Sequence, residues 1–167
     1  GTKLITDGDK DVGVEAVKFL YNASLNSINV SSVLNLEVNK GITDYVASSD
    51  GSTFDPRLKT RYQNYKFDHK GQVLENGLTD NIRNVYLYGY GECLPIAKIQ
   101  NVTYDEVTSA LGATNLALIK GSTLSDEQLR TIFGNLRNAL PKALITSVTY
   151  RPGYGVYSIT DPNNRPT

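Results

Sequence analysis

The chain has 167 residues, with 17 basic and 17 acidic side chains and a formal net charge of zero. It is long enough to bury a real core, and it offers no overall field for nucleic acid or an anionic membrane. Its 40% hydrophobic and 20% charged content is that of a water-soluble globular protein. Cys93 is the only cysteine, which excludes an intrachain disulfide, and no apolar run is long enough to span a bilayer. The chain starts Gly1-Thr2 without a Met and is expected to be a piece of a longer protein.

Residues 1–12 are polar, with Asp7, Gly8, Asp9, Lys10 and Asp11 close together, and are expected as a loop. Val14 to Leu20 is β-branched and aromatic, which favours a strand over the alternative of a short helix. Ile28 to Val38 predicts another, with Leu34, Leu36 and Val38 alternating toward a core. Asn39-Lys40-Gly41 reads as a turn, Ile42 to Ala47 as a strand, and residues 48–52 as a loop. Asp55-Pro56 marks a bend before Arg61 to Phe67. Asp68 then opens a tight turn and Gly71 supplies the positive φ that closes it, with Val73 and Leu74 starting the return strand. Glu75-Asn76-Gly77 offers a second turn.

Asn84 to Tyr90 is the clearest strand. Tyr86, Tyr88 and Tyr90 share one face, and Val85, Leu87 and Gly89 the other. Gly89 and Gly91 suggest a bulge or close backbone approach, and Pro95 makes Ile96 to Ile99 an edge strand. The period then changes. Thr103 caps a helix with Glu106 completing a capping box, Val107, Ala110 and Leu111 form its apolar face, and Gly112 ends it. Leu116 to Ile119 reads as a short helical turn. A second helix starts at Ser125, with Gln128 at the box position. Leu129, Ile132, Phe133, Leu136 and Leu140 recur every three or four residues, and Pro141 stops it. Leu144 to Tyr150 and Gly155 to Thr160 are strands joined by a turn at Arg151-Pro152-Gly153. Asp161 to Asn164 is a turn with no return strand after it, as expected where a longer chain has been cut.

The sum is an α+β fold, a mostly antiparallel β-hairpin sheet with a helical insertion packed on one side. It is read as a single domain over 1–167, β-rich over 1–100, helical over 101–141 and β again over 142–167.

Chemistry-bearing residues are sparse. His69, the only histidine, falls in the predicted turn, and Cys93 follows Gly91 and Glu92 without an obvious base. Neither pattern holds a zinc set, so no metal and no cofactor are expected. Asp44, Asp50, Asp55, Asp68, Glu75 and Glu92 are the carboxylates from which a glycosidase pair would be drawn. The Tyr86, Tyr88 and Tyr90 face is a candidate binding surface for a glycan or protein. Gly89-Tyr90-Gly91 and Gly153-Tyr154-Gly155 lack the phosphate-loop pattern, and Asp7-Gly8-Asp9 and Asp50-Gly51-Ser52-Thr53 lack an EF-hand framework.

The segment Tyr65-Lys66-Phe67-Asp68-His69-Lys70-Gly71-Gln72-Val73 resembles the YD repeat of Rhs-type proteins, roughly Tyr-x-Tyr-Asp-x-x-Gly-Arg-Leu. Tyr65, Asp68 and Gly71 match, Phe67 replaces the second aromatic, and Gln72-Val73 stands where the repeat has Arg-Leu. Longer stretches are similar to a segment preceding the repeats in Bacteroidetes members. They are Tyr86-Leu87-Tyr88-Gly89-Tyr90, Leu94 to Asn101, Thr103-Tyr104, Leu136 to Pro141, Thr149 to Pro152 and Ser158 to Asn163. In that family the repeats form hairpins that wind into a shell around a cargo, in proteins that are exported or surface-displayed. The resemblance therefore implies a non-enzymatic structural module, extracellular or at the cell surface, whose first partner is the rest of its own longer chain.

Overall fold

The computed structural model describes residues 2–7, 10–24, 27–38, 40–46, 54–78, 82–121, 124–151 and 153–167. By its internal contacts the chain forms two compact units, residues 1–64 with 69–71, and residues 65–68 with 72–167. The fold is α+β, and every described strand pairing is antiparallel.

The first unit is a meander of β1 (Thr2–Asp7), β2 (Lys10–Ser24), β3 (Ser27–Leu36) and the leading part of β4 (Leu58–Phe67). The expected loop over 1–12 is therefore overturned at the described residues, 2–7 and 10–12. Thr2 pairs with Ala16 and Asp7 with Lys10. Leu4, Ile5, Val12 and Val14 supply enough strand preference for the ladder to form around the polar residues. Ala16, Leu34 and Leu58 make a small core, with Leu20, Leu36 and Tyr45 against it.

The expected strand at Ile42 to Ala47 does not form over residues 43–46. Side chains hold this segment instead of a ladder. The Val46 N–H donates to Asp55 Oδ2 at 3.1 Å, and Arg57 donates to the Asp44 carboxylate at 2.8 Å and to the Asp44 carbonyl at 3.1 Å. The bend at Asp55-Pro56 is present, closed by Leu58 N–H to Asp55 C=O at 3.0 Å. Asn39, Ala47, the loop 48–52, Gly8, Asp9, Asp50 to Thr53 and Pro152 lie outside the described residues.

The second unit runs β5 (Val73–Leu78), β6 (Arg83–Gly89), β7 (Leu94–Gln100), α1 (Tyr104–Lys120), α2 (Asp126–Ala139), β8 (Leu144–Arg151) and β9 (Gly155–Thr160). Each strand pairs with the next. Val85 pairs with Ile99 and Ile99 with Ile145, so three fully buried side chains stand in one row across β6, β7 and β8. The helices cover that row with Val107, Leu111, Ile119, Leu129, Phe133 and Leu136. Burying side chains of this kind stabilises by about 1.5–3 kcal/mol each before entropy is subtracted.

Both helices start as their sequences require. Thr103 accepts from the Glu106 N–H while the Glu106 side chain accepts from the Thr103 N–H, and Ser125 and Gln128 do the same. Gly112 takes φ 72°, which ends the first helical run as expected, but helical backbone resumes and continues to Lys120. Leu116 to Ile119 thus belongs to α1.

Three expectations fail here. Glu75-Asn76-Gly77 is not a turn but the middle of β5, opposite Val85, Asn84 and Arg83. Gly77 is required by proximity, since a Cβ there would lie 2.5 Å from the Ile82 carbonyl oxygen. Pro95 does not put β7 at an edge, because β7 lies between β6 and β8. Pro95 sits opposite Tyr88 where the register shifts, and a displaced ladder tolerates the missing N–H. The turn at Asp161 to Asn164 does lead back, with Thr167 and Ile159 exchanging hydrogen bonds at 2.8 and 3.0 Å. Among the described residues no helix is long and apolar enough to cross a membrane.

Candidate functional site

The repeat-like turn is built as its residues predict. The Asp68 N–H donates to the Gln72 carbonyl at 2.9 Å, the Gln72 N–H donates to Asp68 Oδ1 at 2.8 Å, and Gly71 has φ 81°. His69 and Lys70 are exposed. Tyr65, the first residue of the motif, lies under Arg83, whose guanidinium carbon is 3.4 Å from the ring centroid. Asp68 and Gly71 shape the chain, and Tyr65 holds a cation.

The tyrosine row divides. The alternation is kept by Val85, Leu87 and Gly89, all buried, but the register shifts between Leu87 and Tyr88. A Cβ on Gly89 would come within 2.9 Å of the Ile119 carbonyl, which is the expected close approach. Tyr86 and Tyr88 are half-buried in β6, and the Tyr88 hydroxyl donates to the Val73 carbonyl at 3.1 Å. Tyr90 lies beyond the strand at φ 54°. Its hydroxyl donates to the Tyr150 carbonyl at 3.1 Å and accepts from the Tyr150 N–H at 2.9 Å, with the two rings edge-to-face at 5.6 Å. The Tyr150 hydroxyl reaches the Pro95 carbonyl at 2.9 Å. Two of the three candidate hydroxyls are thus spent inside the fold.

A cavity of about 10 Å³ lies beneath α1, lined by Asp68, Leu87, Tyr88, Glu92, Tyr104 and Lys120 among others, enough for about one water molecule. Burial raises the Tyr88 and Tyr104 phenols above their ordinary pKa. Lys120 and Glu92 pair at 2.8 Å beside it, which holds the Lys120 ammonium charged.

Asp50 lies outside the described residues, and the other carboxylates named for hydrolysis are engaged elsewhere. Asp55, fully buried, accepts from Arg57 Nε at 2.8 Å, from Arg57 NH2 at 2.6 Å and from the Arg57 and Val46 amides. The Arg57 guanidinium holds Asp55 far below the usual carboxylate range and lowers Asp44 too. That is the opposite of what a general acid needs. Glu75 accepts from Arg83 NH1 at 2.6 Å and from the Tyr104 N–H, at the start of α1, at 2.9 Å. Cys93 is exposed at the β6–β7 turn, with its thiol against the Gly91 carbonyl. Among the described residues no three His, Cys, Asp or Glu side chains converge as a metal site.

Another concavity lies beside α2. Beyond Ile145, the buried helix-side positions of β8 and β9 are the hydroxyls of Ser147, Thr149, Ser158 and Thr160. At one end of α2, Asp126 accepts from Thr149 and, at 3.3 Å, from Ser158, while its other oxygen pairs with Arg130 at 2.9 Å. At the other end Arg137 NH2 donates to the Ile145 carbonyl at 2.9 Å, and to Ser147 Oγ and the Asp161 carbonyl at 3.3 Å. A groove of about 490 Å³ runs along this side of α2 to the turn after β9, with Glu127, Arg130, Gly134, Arg137, Asn138 and Thr160 among its lining. The sequence reading missed it. Its signals were arginines seven residues apart on one helix face, and Ser/Thr alternation in strands whose inward positions should be apolar.

Compared with known proteins, the chain matched no family model, no curated protein and no solved structure.

Proposed function

We propose that the chain is a non-enzymatic structural module of an exported or surface protein of the Rhs/YD-repeat type, contributing β-hairpins to a shell or to its N-terminal plug. The observation that carries this reading is how the repeat-like residues are used. Asp68 and Gly71 close a hairpin turn, and Tyr65 stacks on Arg83, which in turn pairs with buried Glu75. The strands of each unit follow one another as antiparallel neighbours, the arrangement that lets hairpins be added in series. Asp44, Asp55 and Glu75 serve ion pairs and a helix start rather than a cleft.

The test uses the parent protein in its own host. Proteinase K added to intact cells should cleave it, and electron microscopy of the purified protein should show this segment continuous with a hollow shell of hairpins. Retention inside intact cells, or a segment standing apart as a separate bead, would refute the proposal.

A further inference from the structure

The hydrogen-bond partners of Arg137 among the described residues are neutral groups. Among the described residues no carboxylate lies within ion-pair distance of it, and the Asp161 side chain acts on it only from farther away. Three oxygens hold its NH2 group, all neutral, and its buried Nε has no acceptor. Burial pushes the guanidinium below its ordinary pKa, so the fold keeps this charge at a desolvation cost. Arg130, one heptad earlier, differs in being paired with Asp126. Between them Gly134 leaves the groove open, since a Cβ there would have no neighbour within 4 Å. A mid-helix glycine is unfavourable, and packing does not require this one.

We propose that this groove binds an acidic glycan, with the carboxylate of one uronic acid residue seated against Arg137 and the sugar hydroxyls on the amide and hydroxyl lining. A volume of about 490 Å³ is in the range that encloses a small ligand. Asn135, Asn138, Thr131 and Thr160 line the groove as donors and acceptors, without the large apolar pockets that anchor a peptide. Glu127 lines it as well, which favours a singly charged carboxylate over a phosphate. The site is independent of whether the chain belongs to a repeat shell.

Calorimetric titration of the 167-residue chain tests this. The probes are oligomers of galacturonate and of glucuronate, the neutral galactose oligomer and a triglutamate peptide. At least one uronate should bind saturably, about tenfold more tightly than the neutral sugar and more weakly as salt rises. Arg137→Gln should lose binding, but it also removes bonds to β8. Gly134→Glu therefore provides the second variant, because it fills and neutralises the groove in open space. It should abolish binding while its melting temperature stays at or above that of the unmodified chain. The proposal is overturned if neither uronate binds up to about 10 mM. It is also overturned if the neutral sugar or the peptide binds equally well, or if folded Gly134→Glu retains binding.

Discussion

Replacing Glu75 by Gln isolates the charge that joins the sheet of the second unit to its first helix. Glu75 is only 3% exposed, and its two oxygens serve different donors, Arg83 at 2.6 Å and the Tyr104 amide at 2.9 Å. Glutamine has the same shape but only one acceptor oxygen, so its NH2 must face one of those donors. Converting a charged hydrogen bond to a neutral one costs about 1 kcal/mol, and an unsatisfied donor costs about 1–3 kcal/mol more. Losing an anion at a helix N-terminus adds about 0.3–1 kcal/mol. The Arg83 side chain is 30% exposed and can turn to water, which trims the donor penalty. A net loss of about 2–3 kcal/mol remains, equivalent to about 5–10 °C in Tm for a chain of this length.

Circular dichroism melts at neutral pH measure the shift. Hydrogen exchange should show the Tyr104 amide losing protection. A double-mutant cycle with Arg83→Gln should give a coupling of about 0.5–3 kcal/mol. A Tm within about 1 °C of the unmodified chain, with Tyr104 still protected, would refute the link between this carboxylate and the helix start.

Phe133→Asp places a charge where the side chain is 1% exposed and should unfold the second unit; a soluble variant with unchanged melting would contradict the packing of α2. Gly134→Ala adds a methyl in open space on a helix and should raise stability by about 0.5–1 kcal/mol, read as an increase in Tm. Tyr90→Phe removes both hydrogen bonds to Tyr150 and leaves the Tyr150 amide unpaired, costing about 1–3 kcal/mol. Asp55 has a folded pKa depressed by Arg57, so its contribution is complete above the unfolded value near 4 and is lost as pH falls below it. Melts between pH 7 and 2.5 should therefore show a smaller acid-induced fall in Tm for Asp55→Asn, alongside a lower Tm at neutral pH; parallel curves would show that the pair contributes nothing.

Local rules carried the second unit further than the first. Thr103 with Glu106 and Ser125 with Gln128 are capping boxes in both sequence and structure, because the interaction is complete within four residues. Gly71 and Gly112 were legible for the same reason, each taking the positive φ that glycine permits. Glu75-Asn76-Gly77 misled because its composition is that of a turn, whereas its place in β5 is set by partners at Arg83 and Tyr104. The Ile42 to Ala47 stretch has strand composition, yet Asp55 and Arg57 satisfy part of its backbone from nine to thirteen residues away. The groove beside α2 depends on the packing of α2 over β8 and on the Asp161 carbonyl, which no spacing within α2 reveals.

Buried polar groups also explain how hydroxyl-rich and amide-rich strands keep their register. Strands with one apolar face resist slipping because a one-residue shift exposes the whole face. β8 and β9 lack that protection at Ser147, Thr149, Ser158 and Thr160. There the Asp126 carboxylate accepts from Thr149 and Ser158 together, and the two hydroxyls also meet at 2.8 Å. Sliding β9 by one residue would withdraw Ser158 from both partners and leave buried hydroxyls unpaired, at about 1–3 kcal/mol each. Across β5, β6 and β7 the side chains of Asn76, Asn84 and Gln100 form an amide ladder at 3.2 and 3.1 Å along paired positions. The ladder is broken by the same one-residue shift. At these positions polar matching supplies the register that a hydrophobic pattern would otherwise impose, and it extends to the groove beside α2, where Thr160 is part of the lining and Ser147 holds Arg137.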